Sequence, residues 1–151
     1  MRLVVDASVG LKWVLPEPDS HLAPALVESS EALLIPDFRL NKPCNLLWRQ
    51  VRKTLLSPDE VRSALGLLRR QLSPVHTGDL GLHEVALDLG LAVNQSTCDT
   101  LYVAFAIAMG ADRVVAADGP FIGKMQSHPD PCVAGMMLTL DQRAAGRAPS
   151  A

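Results

Sequence analysis

The stretch that most limits how this chain can fold is Leu3-Val4-Val5-Asp6-Ala7-Ser8. Three consecutive apolar residues, two of them β-branched, run straight into a carboxylate. An apolar run without alternation marks a strand buried on both faces, as parallel sheets require. Ser8 then reads as the N-cap of a helix from Val9 to Leu15. Asp6 is thereby delivered to the carboxyl end of a strand, the crevice where open α/β sheets hold ligands. Arg113-Val114-Val115-Ala116-Ala117-Asp118 repeats the design and delivers Asp118 to a second strand end. Either carboxylate alone is accounted for as a helix cap. A site requires further acids in the same crevice.

The intervening chain alternates short apolar runs with helical patterns. Leu33-Leu34-Ile35 reads as a strand stopped by Pro36, Pro74-Val75-His76 as a weak third strand, and Cys132-Val133-Ala134 as a last one. A helix from about Asn41, the expected N-cap, carries Leu46, Leu47 and Val51, with Arg49, Arg52 and Lys53 between them. Ser57-Pro58-Asp59-Glu60 is a capping box with proline at the first helical position. Val61, Ala64, Leu65, Leu68 and Leu72 follow it at helical spacing. Asp79 is expected to cap a helix bearing Leu82, Val85, Ala86 and Leu89, with Gly90 as its stop. Ser96 to Thr100 opens another, with Asp99 in the first turn, where the helix dipole favours negative charge. Strands separated by helices imply a parallel sheet with right-handed crossovers, in an order these patterns leave open.

A chain of 151 residues suits one domain, and 48% hydrophobic against 20% charged residues marks it as globular. A net charge of −2 excludes a broadly basic coat for nucleic acid but leaves room for a local basic patch. Cys44, Cys98 and Cys132 are widely spaced and form no CxxC, so they read as reduced thiols of a cytoplasmic protein. The longest uncharged apolar stretch, Leu101 to Ala111, falls well short of the ~20 residues a membrane helix needs.

Three carboxylates converging on one crevice would repel unless a cation joined them. With only oxygen ligands at hand, and with His21, His76, His83 and His128 scattered, that cation is Mg²⁺ or Mn²⁺ rather than zinc. Such a pairing serves phosphodiester hydrolysis.

Val4-Val5-Asp6-Ala7-Ser8-Val9 with Leu11-Lys12-Trp13 resembles the opening of a PIN domain, above all the VapC toxins of bacterial toxin–antitoxin pairs. The likeness continues through Pro36-Asp37, Asn45-Leu46-Leu47-Trp48-Arg49, Leu55 with Ser57-Pro58-Asp59-Glu60, Asp99-Thr100-Leu101-Tyr102-Val103-Ala104, and Val115-Ala116-Ala117-Asp118 with Phe121. The resemblance implies one three-layer PIN-like α/β domain over residues 1–141, with a flexible tail at 142–151. It implies a parallel sheet in the order 3-2-1-4-5, which makes Asp6 and Asp118 neighbours. It also implies an Mg²⁺- or Mn²⁺-dependent endoribonuclease that forms a homodimer and is inhibited by a VapB-like antitoxin. Asp6, Asp99 and Asp118 would be its catalytic and metal-holding acids, with Ser8 and Asn45 in support. Arg49, Arg52 and Lys53 are candidate contacts to RNA phosphates, with a solvated helix face as the alternative. Trp13 and Trp48 read as packing residues.

One position departs from the family pattern. Three residues before Asn45 the family places a Glu, and this chain has Lys42, followed by Pro43. Ala116 and Cys98 are milder departures, where Thr or Ser and Tyr are usual. Lys42 supports an alternative reading: a weakened or inactive PIN-fold protein that keeps RNA or antitoxin binding. If its helix keeps the family position, Lys42 is expected to reach the acids and pair with at least one; a helix started late by Pro43 would instead turn Lys42 out to solvent. A phosphoacceptor or phosphatase of another α/β type fits poorly, because Asp6-Ala7-Ser8 lacks a second carboxylate.

Overall fold

The computed structural model describes residues 1–27, 32–71 and 73–145. Strand β1 is Arg2–Val5, β2 is Ala32–Leu34, β3 is Arg113–Ala116 and β4 is Met137–Thr139. They form one parallel sheet in the order β2-β1-β3-β4. In register, Val4 lies beside Leu34 on one side and Val114 on the other. Two expectations about the sheet are corrected. The third strand shrinks to a single bridge between Pro36 and Val75. Prolines at 36 and 74 each remove a ladder donor there. Cys132-Val133-Ala134 is helical, in α8 (Pro131–Ala134), because the Asp130 carboxylate caps the Cys132 N–H and starts a turn. The last strand follows it, at Met137–Thr139.

Alternating side chains divide the core between the two faces of the sheet. Val4, Val114 and Ala116 pack against α5 (Leu82–Val93), α6 (Thr97–Ala108) and α7 (Gly119–Gln126). Leu3, Val5 and Val115 pack on the other face with Val9 of α1 (Ala7–Lys12), Leu26 of α2 (Pro24–Val27) and Leu140 of α9 (Leu140–Ala145). A satellite cluster of Leu11, Leu47, Ala64 and Leu68 joins α1 to α3 (Asn41–Arg52) and α4 (Pro58–Gln71). Gln142–Ala145 thus continue a helix, while residues 146–151, like Leu72, lie outside the described residues. Among the described residues no helix is long and apolar enough to cross a membrane. The three cysteines are exposed and unpaired.

Local signals explain most boundaries. Ser57 and Glu60 close the capping box reciprocally, each side chain accepting the other's backbone N–H at 3.1 and 3.3 Å. Pro43 falls in the first turn of α3, where the missing N–H breaks no helical bond, so α3 starts at Asn41 without a kink. Its N-cap position is Leu40, not Asn41, and no side chain caps it. Gly81, not Asp79, precedes α5. Gly90 is not a stop, since α5 runs on to Val93. A Cβ there would lie 2.7 Å from the Gln95 carbonyl oxygen, so glycine is demanded by the close return of the chain. Trp13 is held inside by a 2.8 Å hydrogen bond from its indole N–H to the Ala23 carbonyl. Trp48, expected to pack, is 56% exposed under the Arg52 guanidinium.

Asp37 pins the segment after β2. Its carboxylate accepts from the Thr77 N–H at 3.1 Å and from the Thr77 hydroxyl at 2.8 Å. Burial works to raise its pKa, but the Thr77 bonds and nearby His76 outweigh burial and lower it. A depressed carboxylate stabilises the fold above its unfolded pKa, and that stability is lost as pH falls through the folded value. Asp37→Asn should therefore cost about 1 kcal/mol at pH 7 by urea unfolding, with the gap to the parent narrowing below pH 3.8. A gap independent of pH would assign the effect to packing instead of charge.

Candidate functional site

β1 ends one residue before Asp6, whose N–H donates to the Val115 carbonyl at 3.0 Å and so extends the sheet. Asp6 itself, not Ser8, is the N-cap of α1. Its Oδ2 accepts from the Ser8 N–H at 3.0 Å and from the Ser8 hydroxyl. The Ser8 oxygen in turn accepts the Ala117 N–H at 3.0 Å, tying the ends of β1 and β3 together. Ser8 is therefore the orienting partner of Asp6.

Asp99 arrives from the first turn of α6, which is capped by Ser96. One of its oxygens accepts from the Gln95 amide at 2.6 Å. The other takes the ammonium of Lys42 in a hydrogen-bonded ion pair, and Lys42 Nζ also lies 3.4 Å from Asp6 Oδ2. The Phe121 ring of α7 faces the same ammonium, 5.8 Å from its centroid. The expected salt bridge of Lys42 thus forms with both Asp6 and Asp99. Pro43 does not turn Lys42 outward, because α3 starts early enough to aim residue 42 at the acids.

The cluster is shielded: the side chains of Lys42, Asp6 and Asp99 are 16%, 0% and 11% exposed. Burial works to lower the Lys42 pKa, but Asp6 and Asp99 outweigh it and raise the value, so the group stays charged. Tyr102 is packed against the same acids. Burial and the charges of Asp6 and Asp99 push its phenol well above the ordinary range, and it stays neutral.

Asp118 stands at the end of β3 and caps α7, its Oδ1 accepting the Phe121 N–H at 3.2 Å. Among the described residues it makes no ion pair with Lys42 and no hydrogen bond to the other acids. Asn45 is exposed on α3 one turn from Asn41. Arg49, Arg52 and Lys53 are exposed toward its end. At about 3.6 residues per turn, Arg49 and Lys53 fall within about 20° of Lys42 around the helix, and Arg52 about 80° away. Gln95 and Tyr102 were not singled out by the sequence. Gln95 lies in a loop before a helix cap, and Tyr102 sits on an apolar helix face, so neither carries a local polar signal.

The resemblance implies a divalent metal here, and the residues as they stand do not fit one. Among the described residues no three His, Cys, Asp or Glu form a group that could hold a metal ion. The position between Asp6 and Asp99 is taken by an ammonium. What the arrangement provides is two buried carboxylates neutralised in part by one lysine.

No family model matches the chain. A curated relative does. The chain is 27% identical over 150 residues to Ribonuclease VapC3 of Pyrobaculum aerophilum, covering 99% of this chain and 97% of the relative. This supports a VapC- or PIN-like assignment along nearly the whole length. Among solved structures, the crystal structure of PAE2754 from Pyrobaculum aerophilum superposes with a TM-score of 0.61. It covers 97% of this chain and 91% of that one at 16% identity, a likeness of fold. The four-stranded parallel sheet flanked by helices is consistent with a PIN-like architecture.

Proposed function

We propose that this chain is an RNA-directed domain of the VapC ribonuclease type whose nuclease centre is closed by Lys42. The observation that carries this reading is the ammonium seated between Asp6 and Asp99. Asp6, Asp99 and Asp118 are its acids, with Ser8 orienting Asp6 and Gln95 orienting Asp99. Arg49 and Lys53, in line with Lys42 along α3, would meet successive phosphates of an RNA strand, with Arg52 at their flank. A VapB-like antitoxin is the proposed partner, a homodimer the proposed assembly and the cytoplasm the proposed location. Mg²⁺ or Mn²⁺ would supply positive charge and an activated water if the acids held it. Lys42 stands against that.

The name of the full-length relative favours a second reading, an open metal-dependent endoribonuclease. It requires Lys42 to leave the acid pair. End-labelled single-stranded RNA separates the two. The closed-site reading expects RNA binding, with little cleavage in Mg²⁺ or Mn²⁺. Rapid cleavage that is abolished by chelator and by Asp6→Asn would establish the open enzyme instead. Absence of RNA binding would sink both.

A further inference from the structure

Beside Lys42, a cleft of about 240 Å³ opens between the starts of α3 and α6. This is just below the ~300–1,000 Å³ of pockets for drug-sized ligands, so it suits a small planar group. Phe38 forms part of its wall. That ring is fixed edge-to-face against Tyr102 (5.2 Å, 77°) and Phe105 (6.3 Å, 80°), so it cannot fold away. Asn41 and Asn45 form another part, one helical turn apart on the same side of α3. Neither side-chain amide has a hydrogen-bond partner among the described residues. The Tyr102 hydroxyl, on a residue 1% exposed that also lines the cleft, has no partner either. Lys42 also lines it, and the basic line through Arg49 and Lys53 leads away along α3.

An aromatic wall, amides with both donor and acceptor to offer, and a basic track alongside are what an unpaired nucleobase of a single strand needs. A carboxamide presents a donor next to an acceptor, which complements the N6–H and N7 edge of adenine. Guanine presents two acceptors on that edge and is best met by a free cation. The cation at this cleft is already tied to Asp6 and Asp99.

We infer that the cleft of Phe38, Asn41 and Asn45 is a nucleobase pocket that selects an unpaired adenine beside the acid centre. The inference rests on the RNA-directed reading above and names the feature of RNA that is read.

The test uses the full chain and fluorescence anisotropy with labelled oligouridine octamers. One central position carries adenine, guanine, cytosine or an abasic sugar. The adenine octamer should bind about tenfold tighter than the abasic one and more tightly than the guanine and cytosine octamers, and equal binding of the three bases would overturn the selection of adenine. Asn45→Ala, which places a better helix former at an exposed helical site, should reduce that preference to within about twofold. Asn45→Asp, which keeps the shape but replaces the donor with a charged carboxylate, should also abolish the preference, while weakening every octamer through its added negative charge. Lys53→Ala should weaken every octamer alike and flatten the salt dependence. Equal binding of adenine and abasic octamers by the parent would overturn the pocket while leaving the RNA reading intact. So would an adenine preference that survives both Asn45 variants. If no octamer binds, the RNA reading falls and the pocket with it, leaving the cleft to another class of ligand such as a peptide.

Discussion

Replacing Lys42 by methionine should destabilise the fold by about 3–5 kcal/mol at pH 7. Methionine keeps most of the length and volume of lysine and removes only the charge. Asp6 and Asp99 then face each other without a counter-charge, and Asp6 is wholly buried. Breaking a buried pair from one side leaves an uncompensated charge, which costs far more than losing a surface bridge. Urea unfolding with an unchanged slope would report it. Adding Asp99→Asn to the methionine variant should recover part of the loss, because the remaining carboxylate no longer faces a like charge. The two single variants and the double variant close a cycle that isolates the coupling. A loss under about 1 kcal/mol would mean that the ammonium is well solvated and holds nothing together.

Lys42→Glu should change the sign of the site and with it the response to metal. In chelator it should be at least as unstable as the methionine variant, since three acids then share one nook. Mg²⁺ should restore stability by about 2.7 kcal/mol at 100 times its dissociation constant, as binding to the folded state alone requires. The parent should show no shift in melting temperature over the same titration. Calorimetry gives the same comparison without relying on catalysis. RNA cleavage that appears only in the glutamate variant, and only with metal, would identify Lys42 as what keeps the parent closed. Equal Mg²⁺ responses in both proteins would show that Lys42 does not obstruct the acids.

Several features were legible from neighbouring residues alone. The β-branched runs before Asp6 and Asp118 marked two buried strands, since burial on both faces selects such runs wherever they occur; that the two lie side by side was implied only by the family resemblance. Ser57 and Glu60 found each other because a capping box is closed within four residues. Asp99 entered the first turn of α6 behind Ser96 for the same local reason. Misreadings came where a local pattern had two solutions. Cys132-Val133-Ala134 is apolar enough for a strand, but Asp130 and Pro131 tip it into a helical turn. Gly90 looks like a helix stop until the chain is seen returning against it at Gln95.

By itself, then, the sequence determined the strand-ending acids, the amphipathic helices and the oddity of a lysine where an acid was expected. The acids and helices follow from periodicity and capping, which act over a few residues; the lysine stands out only against the family pattern the chain resembles. Only the tertiary structure decided that Lys42 of α3, Asp6 at the end of β1 and Asp99 of α6 meet, that Gln95 and Ser8 hold the two acids in place, and that Asp118 caps α7. Meeting depends on how three elements distant in the chain pack on one sheet edge. That packing is set by burial of Leu47, Tyr102 and Phe121, whose apolar surface fixes the helices with no reference to the charges they carry.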